Sequence, residues 1–214
     1  MGSDEPSFGD IEHALKRSAA ALRDAGVPFL LGGSLASWAR GGPETRHDLD
    51  LMIKPEDRDK ALQALVDSGM RPEEPPEAWL VKAWDDDVLV DLIHGPSGLE
   101  ITDEVIARGE ELTVLGMDMR VMALEDVMTT KLMALNEHSL RYEGLLRIAR
   151  SLREQIDWDT VRSRTQESPF ARAFFVLAEG LDILPESSPE ARREGGRARV
   201  RVVTPQGCTP PGPG

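Results

Sequence analysis

The stretch from Phe29 to Ile53 constrains the fold of this chain more than any other part of the sequence. It starts as an apolar run that ends at residues 32–34, Gly-Gly-Ser, and a short helical run follows. A Gly-Gly-Pro turn at 41–43 then leads into Asp48-Leu49-Asp50-Leu51-Met52-Ile53, which has the composition of a strand. Side chains two residues apart on a strand share a face, so Asp48 and Asp50 point the same way, with Cα atoms about 7 Å apart.

This pair of aspartates predicts a metal site. Two carboxylates on one face of an apolar strand repel each other and lose hydration when they are buried. A bound divalent cation removes both penalties. Magnesium suits the site because proteins usually hold it with one or two carboxylates together with substrate phosphates. We therefore expect magnesium to bind at Asp48 and Asp50.

The two glycines before the short helix indicate a phosphate-binding turn. Gly32 and Gly33 stand where a strand passes into a helix, and residues without Cβ let backbone N–H groups approach an anion. Ser34 is placed to cap that helix or to donate to a phosphate. Together with the aspartates, this turn predicts chemistry on a nucleoside triphosphate. The alternative is a glycine-rich turn followed by a strand with two solvent-facing acids.

The order of apolar strand, Gly-Gly-Ser, short helix and Asp-x-Asp resembles the DNA polymerase beta-type nucleotidyltransferase superfamily. Within it, the stretch is most similar to the small bacterial branch that holds abortive-infection-type toxins, uncharacterised relatives and antibiotic nucleotidyltransferases. The resemblance covers residues 26–135. It implies an α/β (α+β) nucleotidyltransferase fold, with a short mixed β-sheet flanked by helices and a C-terminal helical portion. The toxin branch often carries an Arg-Asp-x-x-Asp-like motif where this chain has residues 140–144, Leu-Arg-Tyr-Glu-Gly, which leaves the subfamily open.

A third carboxylate belongs to a predicted hairpin. Apolar runs at 79–84 and 88–93 flank Asp85, Asp86 and Asp87, which we expect to form its solvated tip. Asp91 interrupts the second apolar run, where a carboxylate is costly without a partner. The resemblance implies a third acid on such a strand, completing the metal site and helping to deprotonate the attacking hydroxyl. Alternatively, Asp91 hydrogen-bonds to a loop or to the sheet edge.

Further nucleotide contacts are predicted outside the glycine turn. Lys131 lies on a predicted helix over 124–137 and shares its apolar face with Val127 and Leu135. Related enzymes carry a lysine on the helix after the catalytic sheet, and there it meets the nucleotide phosphates; the alternative is a lysine that extends to solvent. Arg46 and His47 precede the aspartate pair and are candidates for phosphate or acceptor contacts. The nucleotide-binding set is thus Gly32, Gly33, Ser34, Arg46 and Lys131, and the catalytic and metal-binding set is Asp48, Asp50 and Asp91.

The chain divides into three predicted parts. Residues 1–122 form the catalytic domain, 123–184 form a helical portion packed on it, and 185–214 form a disordered tail rich in Pro, Gly and Arg. The arginines of the helical portion either form a solvated face or line an acceptor groove. They are Arg141, Arg147, Arg150, Arg153, Arg162 and Arg164.

Charge and composition restrict the partners and the cellular compartment expected for this chain. The net charge of −13 disfavours broad, sequence-independent binding to nucleic acid but leaves room for RNA docked on a local basic patch. The single cysteine, Cys208, fits a reducing compartment. There is no apolar run that would span a bilayer and no signal-peptide pattern at the start, so we expect a cytoplasmic protein without membrane contact.

These observations predict a magnesium-dependent nucleotidyltransferase that moves an NMP from ATP or another NTP to a hydroxyl acceptor and releases pyrophosphate. Two magnesium ions would assist. The acceptor is tRNA or another RNA, or a small hydroxylated molecule as in the aminoglycoside and lincosamide nucleotidyltransferases, or a protein side chain. A different class of function is a catalytically silent member that binds a partner such as an antitoxin-like protein.

Overall fold

The computed structural model describes residues 6–44 and 49–185. This part of the chain contains seven strands and eight α-helices. The strands are β1 (Phe29–Leu31), β2 (Leu49–Ile53), β3 (Arg71–Glu73), β4 (Leu80–Asp85), β5 (Val88–Ile93), β6 (Glu110–Val114) and β7 (Met117–Val121). The helices are α1 (Phe8–Asp24), α2 (Gly33–Trp38), α3 (Arg58–Asp67), α4 (Asp103–Ala107), α5 (Leu124–Met133), α6 (Tyr142–Leu152), α7 (Trp158–Thr165) and α8 (Pro169–Gly180).

All seven strands join one mixed sheet in the order β3-β4-β5-β2-β1-β7-β6. At its centre, β1 runs antiparallel to β2, and β2 runs parallel to β5. The three residues of β1 are all buried, as are four of the five in β2. Such nearly continuous apolar strands are typical of a sheet covered on both faces. The expected α/β fold with a mixed sheet and flanking helices is confirmed.

Helix α1 illustrates how local sequence sets an element's limits. Ser7 and Asp10 form a capping box, in which each side chain accepts a hydrogen bond from the other residue's backbone N–H. The helix ends before Gly26, whose φ of 61° is one that glycine adopts readily. One face of α1 is buried against the sheet and α3, as its apolar spacing predicts.

Two hydrophobic clusters meet at α5. The first runs from α1 through the sheet to Val127, and the second fills the space between α5, α6, α7 and α8. Helix α5 contributes Val127 to the first cluster and Leu124, Met128 and Leu132 to the second. The division at 122/123 stays a prediction, and the predicted tail lies outside the described residues from position 186 onward.

The hairpin between β4 and β5 differs from the prediction. Asp85 is not at the tip: it ends β4, is buried, and accepts a hydrogen bond from Arg17 of α1. Only Asp86 and Asp87 form the exposed turn, and Asp86 has a φ of 51°. Asp86 tolerates this left-handed backbone because Asp is among the residues enriched there. The shorter turn sets which residues pair across the hairpin.

Two other elements depart from expectation. Strand β3 lies in a proline-rich stretch that carries no strand pattern in the sequence, and it pairs with β4 at the sheet edge, a position that tolerates proline. Helix α5 ends at Met133 instead of Glu137, and residues 134–141 form a loop closed by a bridge between Asn136 and Ser139. Within residues 6–44 and 49–185, no helix combines the length and apolarity needed to cross a bilayer.

Candidate active site

Two of the predicted acids lie next to each other at the centre of the sheet. Asp50 of β2 and Asp91 of β5 are register partners on adjacent parallel strands. Since neighbouring strands lie about 4.8 Å apart, both carboxylates can reach one cation. Asp91 is buried, with 7% of its surface exposed, and Asp50 is half-buried. The third predicted acid, Asp48, lies in the segment 45–48 outside the described residues, as does Arg46.

Lys82, which the sequence analysis missed, lies beside the two acids on the next strand. Lys82 of β4 is the register partner of Asp91 on its other side, and Lys82 Nζ lies 3.5 Å from Asp91 Oδ1. The ammonium offsets part of the negative charge that the two aspartates bring together. The sequence predicts three residues, 85–87, at the tip of the hairpin. The observed turn has two, Asp86 and Asp87, and this shift of register pairs Lys82 with Asp91.

The glycine turn lies directly against Asp50. Gly32 N–H donates to the carbonyl oxygen of Asp50 at 2.8 Å. Gly33 has a φ of 58°, and a Cβ added there would lie 1.6 Å from Asp50 Oδ2. The need for glycine at position 33 thus has a cause that the sequence did not reveal, because the space beside it holds a carboxylate. Close approach of a phosphate to this turn stays a prediction.

Ser34 faces the helical portion instead of capping α2. The N-cap of α2 is Gly32, without a side-chain hydrogen bond, so the capping alternative for Ser34 is wrong. Its Oγ accepts a hydrogen bond from Lys131 Nζ at 3.3 Å. Burial lowers the pKa of Lys131, and the nearby charge of Asp50 acts in the opposite direction. The Lys131 ammonium is therefore held beside Ser34, where it interacts electrostatically with Asp50, and does not extend freely into solvent.

A cavity of about 420 Å³ opens beside this contact. It lies between α2, the loop after α2, α5 and α6, and its lining includes Ser34, Glu44, Lys131, Arg141 and Arg147. Its volume falls within the ~300–1,000 Å³ typical of small-molecule pockets. Within the described ranges, no three His, Cys, Asp or Glu side chains cluster as metal ligands, so a three-acid site would require Asp48.

A mixed sheet with carboxylates on neighbouring parallel strands and a glycine turn packed against them defines a nucleotidyltransferase fold. The family model described as "Uncharacterised nucleotidyltransferase" matches residues 11–180. The chain belongs to this family, and the protein is a nucleotidyltransferase. The resemblance found in the Gly-Gly-Ser and Asp-x-Asp motifs is therefore confirmed. No curated protein sequence matches the chain.

Solved structures similar to this chain at low sequence identity include two with TM-scores above 0.5. The solution structure of the antibiotic-resistance factor ANT(2'')-Ia is 18% identical, covers 82% of this chain and 98% of its own, and has a TM-score of 0.55. The crystal structure of ANT(2")-Ia in complex with adenylyl-2"-tobramycin is 19% identical, with coverages of 77% and 97% and a TM-score of 0.52. The lincosamide adenylyltransferase LnuA, lincomycin-bound, is 13% identical, with coverages of 76% and 100% and a TM-score of 0.46.

Proposed function

We propose that the protein transfers a nucleoside monophosphate from a magnesium-bound nucleoside triphosphate to an acceptor hydroxyl and releases pyrophosphate. One observation carries the proposal: Asp50 and Asp91 are register partners at the sheet centre, with Gly33 packed on Asp50. Two carboxylates so close together in a partly buried site favour the binding of a cation between them. The Lys82 ammonium, 3.5 Å from Asp91 Oδ1, adds positive charge to this site.

The acid pair fits magnesium, which prefers carboxylate oxygens and substrate phosphates as ligands. Asp50 and Asp91, together with Asp48, would hold the ions. Magnesium bound there would neutralise the charge of the triphosphate and of the leaving pyrophosphate.

The side chains of the chain itself account for orientation and proton transfer. The acceptor oxygen forms a bond to the α-phosphorus, and the bond from that phosphorus to its bridging oxygen breaks with the electron pair leaving on pyrophosphate. The hydroxyl proton passes to the carboxylate of Asp91, the more buried of the two described acids. The Lys131 ammonium, held against Ser34, orients the triphosphate. Catalysis then depends mainly on positioning and charge neutralisation.

The acceptor that we propose is a ribose hydroxyl of an RNA, which the toxin-like resemblance implies. The second candidate is a hydroxylated antibiotic. ANT(2")-Ia has been solved with adenylyl-2"-tobramycin, but at 19% identity the likeness to this chain is one of fold. The two candidates therefore need a direct comparison.

The test incubates the pure protein with each labelled triphosphate and magnesium, separately with total RNA and with an aminoglycoside and lincosamide panel. We expect label to move to an acceptor with release of pyrophosphate, and Asp50→Asn to abolish the transfer. Label on RNA supports the first acceptor and label on a drug supports the second. Wild-type transfer by Asp50→Asn would rule out the proposed site.

A further inference from the structure

Two arginines of α6 differ from most arginines of the described chain. Arg141 is the N-cap residue of the helix, and Arg147 lies within it. Others donate to a carboxylate, as Arg40 does to Glu110 and Arg108 does to Asp126. Arg141 and Arg147 make no side-chain hydrogen bond, ion pair or ring contact within residues 6–44 and 49–185. The chain has 38 Asp and Glu side chains against 25 Lys and Arg side chains, so acidic partners are not scarce.

Both arginines line the cavity beside the contact between Lys131 and Ser34. Lys131 and Ser34 line the same cavity, and Lys131 lies within the field of Asp50. Among the described residues that line the cavity, three carry cationic side chains, and Glu44 carries the one carboxylate. A partly enclosed space whose lining carries an excess of one sign of charge raises the local concentration of ligands with the opposite sign.

Gly144 gives an independent indication that something approaches this face of α6. It lies between the two arginines in sequence and lines the cavity with them. A Cβ added at Gly144 would have no atom within 4 Å, so packing in the described structure does not require glycine. Glycine is a poorer helix former than alanine. Its advantage is that it lets a ligand approach the backbone closely.

We propose that the face of α6 formed by Arg141, Gly144 and Arg147 binds a phosphate group of a substrate. The proposal rests on the proposed function and extends it, since it makes the cavity selective for anionic substrates. Guanidinium groups suit this task because their planar donors match phosphate oxygens in a bidentate geometry. The phosphate belongs either to the donor triphosphate or to a ribonucleotide acceptor. A polycationic aminoglycoside would meet repulsion here.

Binding measurements on two probes test the proposal and separate the two sources. The probes are inorganic tripolyphosphate without magnesium and a short single-stranded oligoribonucleotide. The variants are Arg141→Gln and Arg147→Gln, with Arg150→Gln as the matched control. Arg150 lies on the same helix, is exposed and is outside the cavity lining. Each cavity variant should lose about tenfold in affinity, the value of one charge-assisted hydrogen bond, while the control stays near wild type.

The pattern of loss identifies the phosphate. Loss confined to tripolyphosphate assigns the face to the donor, and loss confined to the oligoribonucleotide assigns it to the acceptor. Loss with both probes supports a shared anion site. Equal affinities of Arg141→Gln, Arg147→Gln and Arg150→Gln for both probes would overturn the proposal.

Gly144→Leu provides a second test, with Gly180→Leu as its control. Gly180 is at the end of α8, away from the cavity, and a Cβ there also meets no atom within 4 Å. Both variants should keep or raise the melting temperature, because leucine is the better helix former. Only Gly144→Leu should weaken binding of the affected probe, and unchanged affinity would overturn the assignment of this face.

The binding of the two probes at α6 is expected to be independent of the acid pair. Asp50→Asn should abolish nucleotide transfer while retaining tripolyphosphate or oligoribonucleotide binding at α6. If transfer survives in Asp50→Asn, the proposed function fails although the binding result stands. If the α6 variants bind normally while Asp50→Asn is inactive, only the anion site fails.

Discussion

A Cβ added at Gly33 would lie 1.6 Å from Oδ2 of Asp50. The glycine that begins α2 therefore leaves the space that a candidate catalytic carboxylate occupies. The backbone of Gly33, at a φ of 58°, adds a second restriction. A side chain at this position therefore disturbs both the backbone and the Asp50 carboxylate.

Gly33→Ala should lower both activity and stability. The left-handed backbone costs a non-glycine residue about 1–3 kcal/mol, and the added methyl group must displace the Asp50 carboxylate. Gly116→Ala is the matched control, because Gly116 has a φ of 74° but its Cβ would meet no atom within 4 Å. Melting temperature should fall in both, and turnover per folded molecule only in Gly33→Ala. Equal turnover in the two variants would show that Asp50 adapts without functional loss.

Neutralising either acid of the register pair should remove transfer and preserve the fold. Asp50→Asn and Asp91→Asn should reduce turnover at least about 100-fold, or about 2.7 kcal/mol of transition-state stabilisation. In the wild type, magnesium with a triphosphate at 100 times its Kd should raise stability by about 2.7 kcal/mol, and this shift should disappear in the variants. Asp87→Asn, in the exposed hairpin turn, is the control and should behave as wild type.

Lys131→Met should stabilise the free protein and weaken triphosphate binding. Burial lowers the pKa of Lys131, so its charged form destabilises the folded state relative to the unfolded one. As pH rises from the folded pKa towards the ordinary value of 10.5, the unfolded chain binds more protons and wild-type stability increases. The advantage of Lys131→Met should thus be greatest below the folded pKa and shrink as pH rises. Denaturant unfolding at several pH values measures this, and an advantage independent of pH would contradict it.

Lys82→Met should change the magnesium dependence of activity. Lys82 Nζ lies 3.5 Å from Asp91 Oδ1, so its removal increases the negative charge available to a metal ion. The magnesium concentration for half-maximal transfer should fall. Lys16→Met, which removes an exposed pair with Glu12, should leave that concentration unchanged. A rise in the requirement for Lys82→Met would indicate that the lysine contacts the substrate instead.

Asp126→Asn should destabilise the helical portion. Asp126 is fully buried in α5 and accepts from Arg108 Nε at 2.7 Å and from Arg164 Nη1 at 2.7 Å. Since both arginines retain solvent contact, the loss should be about 1–3 kcal/mol, as for hydrogen bonds to charged groups. Glu111→Gln, which removes the exposed pair with Arg120, should cost less than about 1 kcal/mol. Similar unfolding free energies for the two variants would show that the buried network contributes no more than a surface pair.

Much of the fold was predictable because helices and strands carry their own periodicity. The apolar spacing of α1, the two apolar runs of β4 and β5, and the order of Gly-Gly-Ser and Asp-x-Asp all lie within short windows of sequence. Strand β3 was not predictable in this way, because its exposed Arg-Pro-Glu carries no apolar pattern and depends on pairing with β4.

The sequence by itself determined the class of enzyme and several candidate residues, because motif order, glycine position and the acid in an apolar strand are local properties. Only the tertiary structure decided which of these residues meet. The pairing of Asp50 with Asp91 depends on a parallel register between distant strands, and Lys82 joins them through the length of the hairpin turn. The contact of Lys131 with Ser34 depends on how α5 packs against α2. These contacts follow from the order of the strands and the packing of the helices. Both depend on how the whole chain buries its apolar residues, and no short window of sequence contains that information.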